Sequence, residues 1–264
     1  MRIGGRSVVT IGAYDGVHIG HRQVIEHVRS IAEAEQLASV VVTFDRHPAS
    51  VVRPESAPPL LTDLGQKLEL LWATGVDDVV VIRFDEDRAT ETAEDFVTEV
   101  LVSQLSAAVV VVGRDFHFGK GRGGNVALLE AMGLAYDFRV APFDLVTQPS
   151  SGVGAPVAVV SSTLVRTCIA SGALAEAALL LGRPHEVRGV ICDDGSISPP
   201  AEILIPPKGH YAAHVARLEP GTELCPTDVV VGQSSAAGAI KVLGECDVDG
   251  PAGAVARVVF DSRR

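Results

Sequence analysis

The stretch SVVTIGAYDGVHIGHRQVIEHV, residues 7–28, joins two textures at a single point. Ser7 to Gly12 is a short β-branched run of the kind that forms a strand buried on both faces. Beyond it Val24, Ile25, Val28, Ile31 and Ala32 fall on one side of a helix that begins near Gly20. Between the two lie Gly12, Gly16 and Gly20, with His18 and His21 three residues apart. Core packing asks for no such arrangement.

The strand texture recurs in ASVVVTF (38–44), DVVVIRF (78–84) and AAVVVVG (107–113). Helical patterns separate these runs. TDLGQKLELLWATG places Leu64, Leu68, Leu71 and Trp72 on one side and stops at Gly75. TAEDFVTEVLVSQL opens with Thr92 as N-cap and Asp95 three residues on. NVALLEAMG is a short helix expected to stop at Gly133. Strands alternating with helices of this length predict an α/β fold, a doubly wound parallel sheet. Ligands of such sheets bind beyond the carboxyl ends of the strands. The unusual residues all follow strand ends: Gly12 to His21, Asp45 to Pro48, and Gly113 to Gly119.

SSTLVRTCIASGALAEAALLLGRP (161–184) reads as two short helices split at Gly172. After it the texture changes to short strands between Pro, Gly and Asp: HEVRGVIC, AEILIPP, HYAAHVARL, AIKVLG and AVARVVF. This predicts a small all-β module, a barrel, over 185–264, following a first domain over 1–184. There is no internal repeat, and low complexity is confined to loops such as SSAAGA (234–239).

A formal net charge of −11 disfavours nucleic acid and anionic membrane surfaces as partners. An anion bound here must be held by local donors, which suits small phosphorylated ligands. Cys168, Cys192, Cys225 and Cys246 lie far apart without CxxC spacing. They are expected to be four reduced thiols of a cytoplasmic protein rather than a metal or disulfide framework. MRIGGRSVVTIG carries no signal-peptide pattern, and no stretch is apolar enough to span a bilayer.

A helix starting near Gly20 offers free N–H groups and its positive dipole end to an anion. Gly12 and Gly16 let the backbone approach it, and His18 and His21 aim two imidazoles at the same spot. Beside a polyphosphate both rings should gain protons and act as cationic donors. Two isolated histidines would be read as surface residues flanking a turn, with zinc ligation a third option. The strand–glycine–His–Gly–His–helix context points instead to the phosphates of a nucleotide.

The HxGH element and SSTLVR (161–166) resemble the two signatures of the HIGH-type nucleotidyltransferase superfamily. GAYDGVHIGH, TFDRHPASVVRPESAPPLLT, FDEDRATETAEDFVTEVLV and VVGRDFHFGKGRGGN together resemble the FMN adenylyltransferase module of bacterial FAD synthetases, over roughly residues 7–184. The resemblance implies a Rossmann-like domain that transfers AMP from ATP to FMN, giving FAD and pyrophosphate. It implies that His18, His21 and Arg166 act on the phosphates. Gly12, Ala13, Tyr14, Asp15, Gly20, Gly113, Asp115, Ser162 and Thr163 would line the ATP site. Phe44, Asp45, His47, Pro48, Phe116 and Phe118 would line the flavin side. Mg²⁺ would arrive with ATP, held by phosphates and water, with no protein metal ligands. GKGRGG (119–124) matches a dinucleotide fingerprint formally but begins too far beyond its strand.

Three departures stand out. Leu164 occupies a place where the family commonly has arginine, and Arg46 one where proline is usual. The third concerns the riboflavin kinase module that usually follows. Its Gly-Phe-Pro-Thr-Ala-Asn segment is replaced by SISPPAEILIPPKG, and ARVVFDSRR supplies no catalytic glutamate. The C-terminal module therefore reads as degenerate and kinase-inactive, kept for stability or for contacts in a homo-oligomer. Two alternatives stay open: a different phosphorylated acceptor or flavin analogue, and a non-catalytic nucleotide- or flavin-binding paralogue.

Overall fold

The computed structural model describes residues 5–144, 147–149, 157–232, 238–244, 246 and 252–264. The loop at 234–239 therefore lies largely outside the described residues. The chain divides into two compact units. One is Met1–Pro58 with Leu64–Gln148 and Val157–Val159; the other is Pro59–Asp63 with Pro149–Pro156 and Val160–Arg264. The boundary read at residue 184 from texture follows two helices that this division groups with the second unit.

The first unit is built on β1 (Ser7–Ile11), β2 (Ala38–Phe44), β3 (Asp78–Ile82), β4 (Ala107–Gly113) and β5 (Arg139–Phe143). All pairings are parallel and the order is β3-β2-β1-β4-β5. The fifth strand, RVAPF, is an addition to the four expected from sequence. Both faces of the sheet are covered. Val9, Ile11, Val40, Val42, Val110 and Val112 pack on one side, against Phe96, Val97, Leu101 and Leu129. Val8, Val109 and Val111 pack on the other against Val28 and Ala32. That two-sided burial is why the strands read as continuous valine runs rather than alternating ones.

Helix α1 (Ile19–Glu35) buries Ile25, Val28 and Ala32, as its apolar face requires. Helix α2 (Leu64–Trp72) departs from expectation. Leu71 is buried, but Trp72 is half exposed, and Gln66 and Lys67 are buried in its place. Thr92 caps its helix as expected, accepting from the Asp95 N–H, but the helix widens into a π-helix over Val97–Gln104. Helix α3 (Val126–Tyr136) runs through Gly133 and stops at Asp137 in the left-handed conformation. Gly133 is needed inside it because a Cβ there would lie 2.3 Å from the Phe138 carbonyl oxygen.

In the second unit, α4 (Ser162–Ser171) and α5 (Leu174–Leu181) break at Gly172, as expected. A closed barrel follows, built from β6 (His185–Ile191), β7 (Ile197–Ser198), β8 (Gly209–Arg217), β9 (Cys225–Val231), β10 (Ile240–Val242) and β11 (Val255–Arg263). AEILIPP is not a barrel strand. Between flanking proline pairs it makes only one parallel bridge, Leu60 with Ile203. The barrel strands missed by sequence are the short β7 and CPTDVVV.

The expectation of four reduced thiols is corrected for one pair. Cys225 and Cys246 are joined in a disulfide, their Cα atoms 5.9 Å apart. The antiparallel register of β9 and β10, with Val229 opposite Val242, brings these distant positions together. Sequence spacing carries no trace of it. Cys168 and Cys192 are free. Among the described residues no helix is long and apolar enough to cross a membrane.

Candidate active site

The sheet order reverses between β1 and β4, so the switch point where such sheets bind ligands lies between their carboxyl ends. The β1 exit carries the glycine–histidine turn. Tyr14, Gly16 and Val17 all adopt positive φ (50°, 82° and 38°), and the Val17 N–H donates to the Tyr14 carbonyl. The turn therefore holds two non-glycine residues in a sparsely populated conformation, as functional loops often do. Tyr14 turns its ring inward and shares a 2.7 Å hydrogen bond with the Thr10 hydroxyl. A Cβ at position 12 would lie 3.0 Å from that ring. The tightest neighbour of position 12 is thus Tyr14.

His18 is the N-cap of α1. It is 4% exposed, and its Nδ1 accepts from the His21 backbone N–H at 3.3 Å. A ring nitrogen that accepts must carry its lone pair, so the proton of this imidazole sits on Nε2. The two rings stack with centroids 3.6 Å apart and planes 17° from parallel. Tyr14 meets His21 edge-on at 4.9 Å. Burial, and secondarily the neighbouring His18, hold the His21 proton affinity well below the ordinary histidine value. Without ligand, His21 is neutral near pH 7, and His18 spends Nδ1 on the cap.

At the β2 exit the Asp45 carboxylate accepts from the Phe84 N–H at 2.8 Å and pairs with Arg46 at 3.1 Å. Burial opposes the ionised form, but these bonds prevail and hold Asp45 below its usual value. Arg46, the residue in the proline position, is therefore committed to its neighbour. His47 Nδ1 accepts from the Ala49 N–H, orienting the ring beside Pro48 at the head of a short helix. Phe44 meets Phe84 edge-on.

At the β4 exit Asp115 is exposed, and a Cβ at Gly113 would lie 3.0 Å from its Oδ1. Phe116 and Phe118 stack at 5.3 Å, with Phe118 also against Phe96, so both rings are already engaged by the core. Of the glycines of 119–124, Gly119 and Gly124 serve packing. A Cβ at Gly119 or Gly124 would fall within 2.7 Å of Ala93.

In the second unit the cap of α4 is Ser161, whose Oγ accepts from the Leu164 N–H. Ser162 and Thr163 occupy the first turn, and Arg166 Nε donates to the Pro59 carbonyl at 2.7 Å. Leu164 is half-buried.

Sequence reasoning missed Lys67. It is 7% exposed on α2, and its Nζ donates to the Phe44 carbonyl at 2.6 Å and the Ala13 carbonyl at 3.4 Å. Its position within the leucine-bearing arc of α2 was the available signal. A cavity of about 510 Å³ lies elsewhere, along the edge of β3, lined among others by Asp87, Arg88, Glu91 and Glu99. None of the residues expected at the site lines it. Among the described residues no group of three or more His, Cys, Asp or Glu side chains converges as a metal site.

A parallel sheet whose switch point bears a strand–glycine–His–Gly–His–helix turn is consistent with the resemblance to the nucleotidyltransferases. Comparison with known proteins narrows this. The model of the FAD synthetase family matches residues 2–155, more than half the chain. A bifunctional riboflavin kinase/FMN adenylyltransferase of Escherichia coli strain K12 is 35% identical over 80% of this chain and 68% of its own length. An FAD synthetase of Listeria monocytogenes is 31% identical over 78% of this chain and 80% of its own. The chain belongs to the FAD synthetase family. A solved structure of a Streptococcus pneumoniae protein described as a macrolide-efflux protein superposes with a TM-score of 0.79. It covers 99% of this chain and 87% of that one at 22% identity, a likeness of fold alone.

Proposed function

We propose that this chain is an FMN adenylyltransferase that makes FAD and pyrophosphate from ATP and FMN and lacks riboflavin kinase activity. The observation that carries the reading is the stacked His18–His21 pair at the head of α1, at the switch point of a family member's sheet. A phosphate oxygen of FMN attacks the α-phosphorus of ATP. A new P–O bond forms, and the bond to the bridging oxygen breaks with release of pyrophosphate. The attacking oxygen is already an anion, so no strong base is needed. Catalysis consists of aligning two anions and donating to charge that grows on the α-phosphate and leaving group.

The chain's own groups suit that work. His18 presents Nε2–H because its cap bond fixes the tautomer. His21, neutral at rest, gains a proton when a polyanion docks beside it, since a nearby negative charge favours imidazolium. Gly12 to Asp15 and Gly20 contribute backbone at the same helix start; Gly113 and Asp115 contribute from β4. In this reading Ser162, Thr163 and Arg166 serve phosphate, and Phe44, Asp45, His47, Pro48, Phe116 and Phe118 serve the flavin. Mg²⁺ would enter with ATP, held by phosphate oxygens and water rather than by this chain's side chains.

The reading without kinase activity rests on SISPPAEILIPPKG, which holds no Thr-Ala-Asn, and on β11, which holds no glutamate. The Asp45–Arg46 ion pair is the one observation favouring a different phosphorylated acceptor. Purified protein with MgATP and either FMN or riboflavin decides among these. FAD from FMN alone supports the proposal. FAD from riboflavin restores the kinase. Pyrophosphate release only with another acceptor moves the acceptor, and binding without turnover removes catalysis.

A further inference from the structure

Lys67 is a buried cation in the middle of the first unit. An ammonium taken out of water is costly unless its protons and charge are matched. Here the match comes from two different loops. Phe44 closes β2, and its carbonyl accepts from Nζ at 2.6 Å. Ala13 stands two residues beyond β1, and its carbonyl accepts from the same Nζ at 3.4 Å and from the Thr43 hydroxyl at 3.2 Å. Asp15, 5% exposed, and Asp45 supply negative charge that offsets part of the cost of burying the ammonium; burial still holds its proton affinity below the ordinary lysine value. Every partner of Lys67 thus lies on one of two segments. One runs into His18 and His21; the other runs into Asp45, His47 and Pro48.

We infer that Lys67 is a positioning residue that staples the loop bearing His18 and His21 to the loop leaving β2, fixing the phosphate side of the site against the acceptor side. The inference rests on the FMN adenylyltransferase reading for its catalytic consequence, though not for its geometry. Lys67 is only 7% exposed and commits N–H donors to backbone carbonyls, so it acts through the loops. In-line phosphoryl chemistry is sensitive to such a staple, because a misplacement of about 1 Å can cost roughly 100-fold in rate.

The test uses the full chain with Lys67→Met and Lys67→Gln. Methionine removes the charge and both donors at similar length; glutamine keeps a shorter amide donor. For Lys67→Met, kcat for FAD formation per folded molecule should fall about 100-fold while KM for ATP and for FMN each move less than about 3-fold. Lys67→Gln should recover part of the rate. In the ligand-free proteins, the imidazole resonances of His18 and His21 should shift in Lys67→Met, while those of barrel residues such as Val215 and Val258 stay in place. If both variants only lower the unfolding midpoint and keep wild-type kcat and wild-type histidine resonances, the staple is overturned. If Lys67→Met does not fold, Lys67→Gln carries both measurements against the same two outcomes. If the wild-type chain makes no FAD, the functional reading fails alone. The histidine resonances then still decide: shifted rings uphold the staple, unmoved rings overturn it.

Discussion

His18 accepts a hydrogen bond from the backbone of His21 while the two imidazole rings stack 3.6 Å apart. One residue is therefore both a helix cap and a member of the candidate catalytic pair. The two roles can be separated. His18→Ala should lose the cap, at about 1 kcal/mol of stability, together with the imidazole. His18→Asn should restore the cap and its stability yet leave FAD formation reduced about 100-fold, as expected for loss of one donor to a phosphoryl transition state. Denaturant unfolding beside a steady-state FAD assay reads both. Full activity in His18→Asn would assign His18 to capping alone.

Gly12→Ala tests the support beneath the pair. The added Cβ would stand 3.0 Å from the Tyr14 ring, which itself lies edge-on to His21. The expected result is a loss of about 1–3 kcal/mol from overpacking, with a fall in FAD formation beyond the loss of folded protein. A variant with wild-type stability and rate would show that this contact is slack.

His185 gives the second unit a built-in acid sensitivity. Its ring is buried and Nε2 bonds the Leu204 carbonyl; burial chiefly, opposed by that bond, pushes its pKa down to about 4. The unfolded chain thus takes up the proton first as pH falls. The stabilisation is complete above about pH 6.5, the ordinary histidine value, and is lost as pH drops toward 4. At roughly 1.4 kcal/mol per pKa unit the loss amounts to about 3 kcal/mol. Chemical denaturation at stepped pH should show this slope, and His185→Gln should flatten it. An unchanged slope would place the sensitivity elsewhere.

Thiol titration checks the disulfide. The denatured, unreduced chain should react at two cysteines, Cys168 and Cys192, and at four after reduction. Replacing Cys225 and Cys246 by serine, which opens a link spanning 21 residues, should lower stability by about 3 kcal/mol. Four reactive thiols before reduction would reinstate the expectation read from sequence.

What was legible in the sequence follows from how each feature is encoded. The parallel strands showed because a sheet buried on both faces needs unbroken apolar runs, and Val9 to Ile11 and Val109 to Val112 supply them. The HxGH turn showed because glycines and histidines between a strand and a helix have few packing uses. β9 was missed because Pro226 and Asp228 interrupt its period, although Val229, Val230 and Val231 are all buried. The Cys225–Cys246 bond depends on hairpin register, which spacing does not encode. Lys67 was passed over because a lysine on a leucine-rich helix usually runs its charge out to water. Only the carbonyls of Ala13 and Phe44, brought in by the fold, reveal that it does not. The charge state of His21 was likewise hidden: burial, and after it the neighbouring His18, hold its proton affinity well below the ordinary histidine value.

The most direct test follows the imidazole nitrogens of His18 and His21 by ¹⁵N NMR at pH 7 while a non-hydrolysable MgATP analogue is added. The account expects His21 to begin neutral and to move toward the imidazolium shift on saturation, with His18 responding at the same ligand concentration and His185 unmoved. A saturating analogue that leaves both rings at their ligand-free shifts would contradict a triphosphate seated at the head of α1.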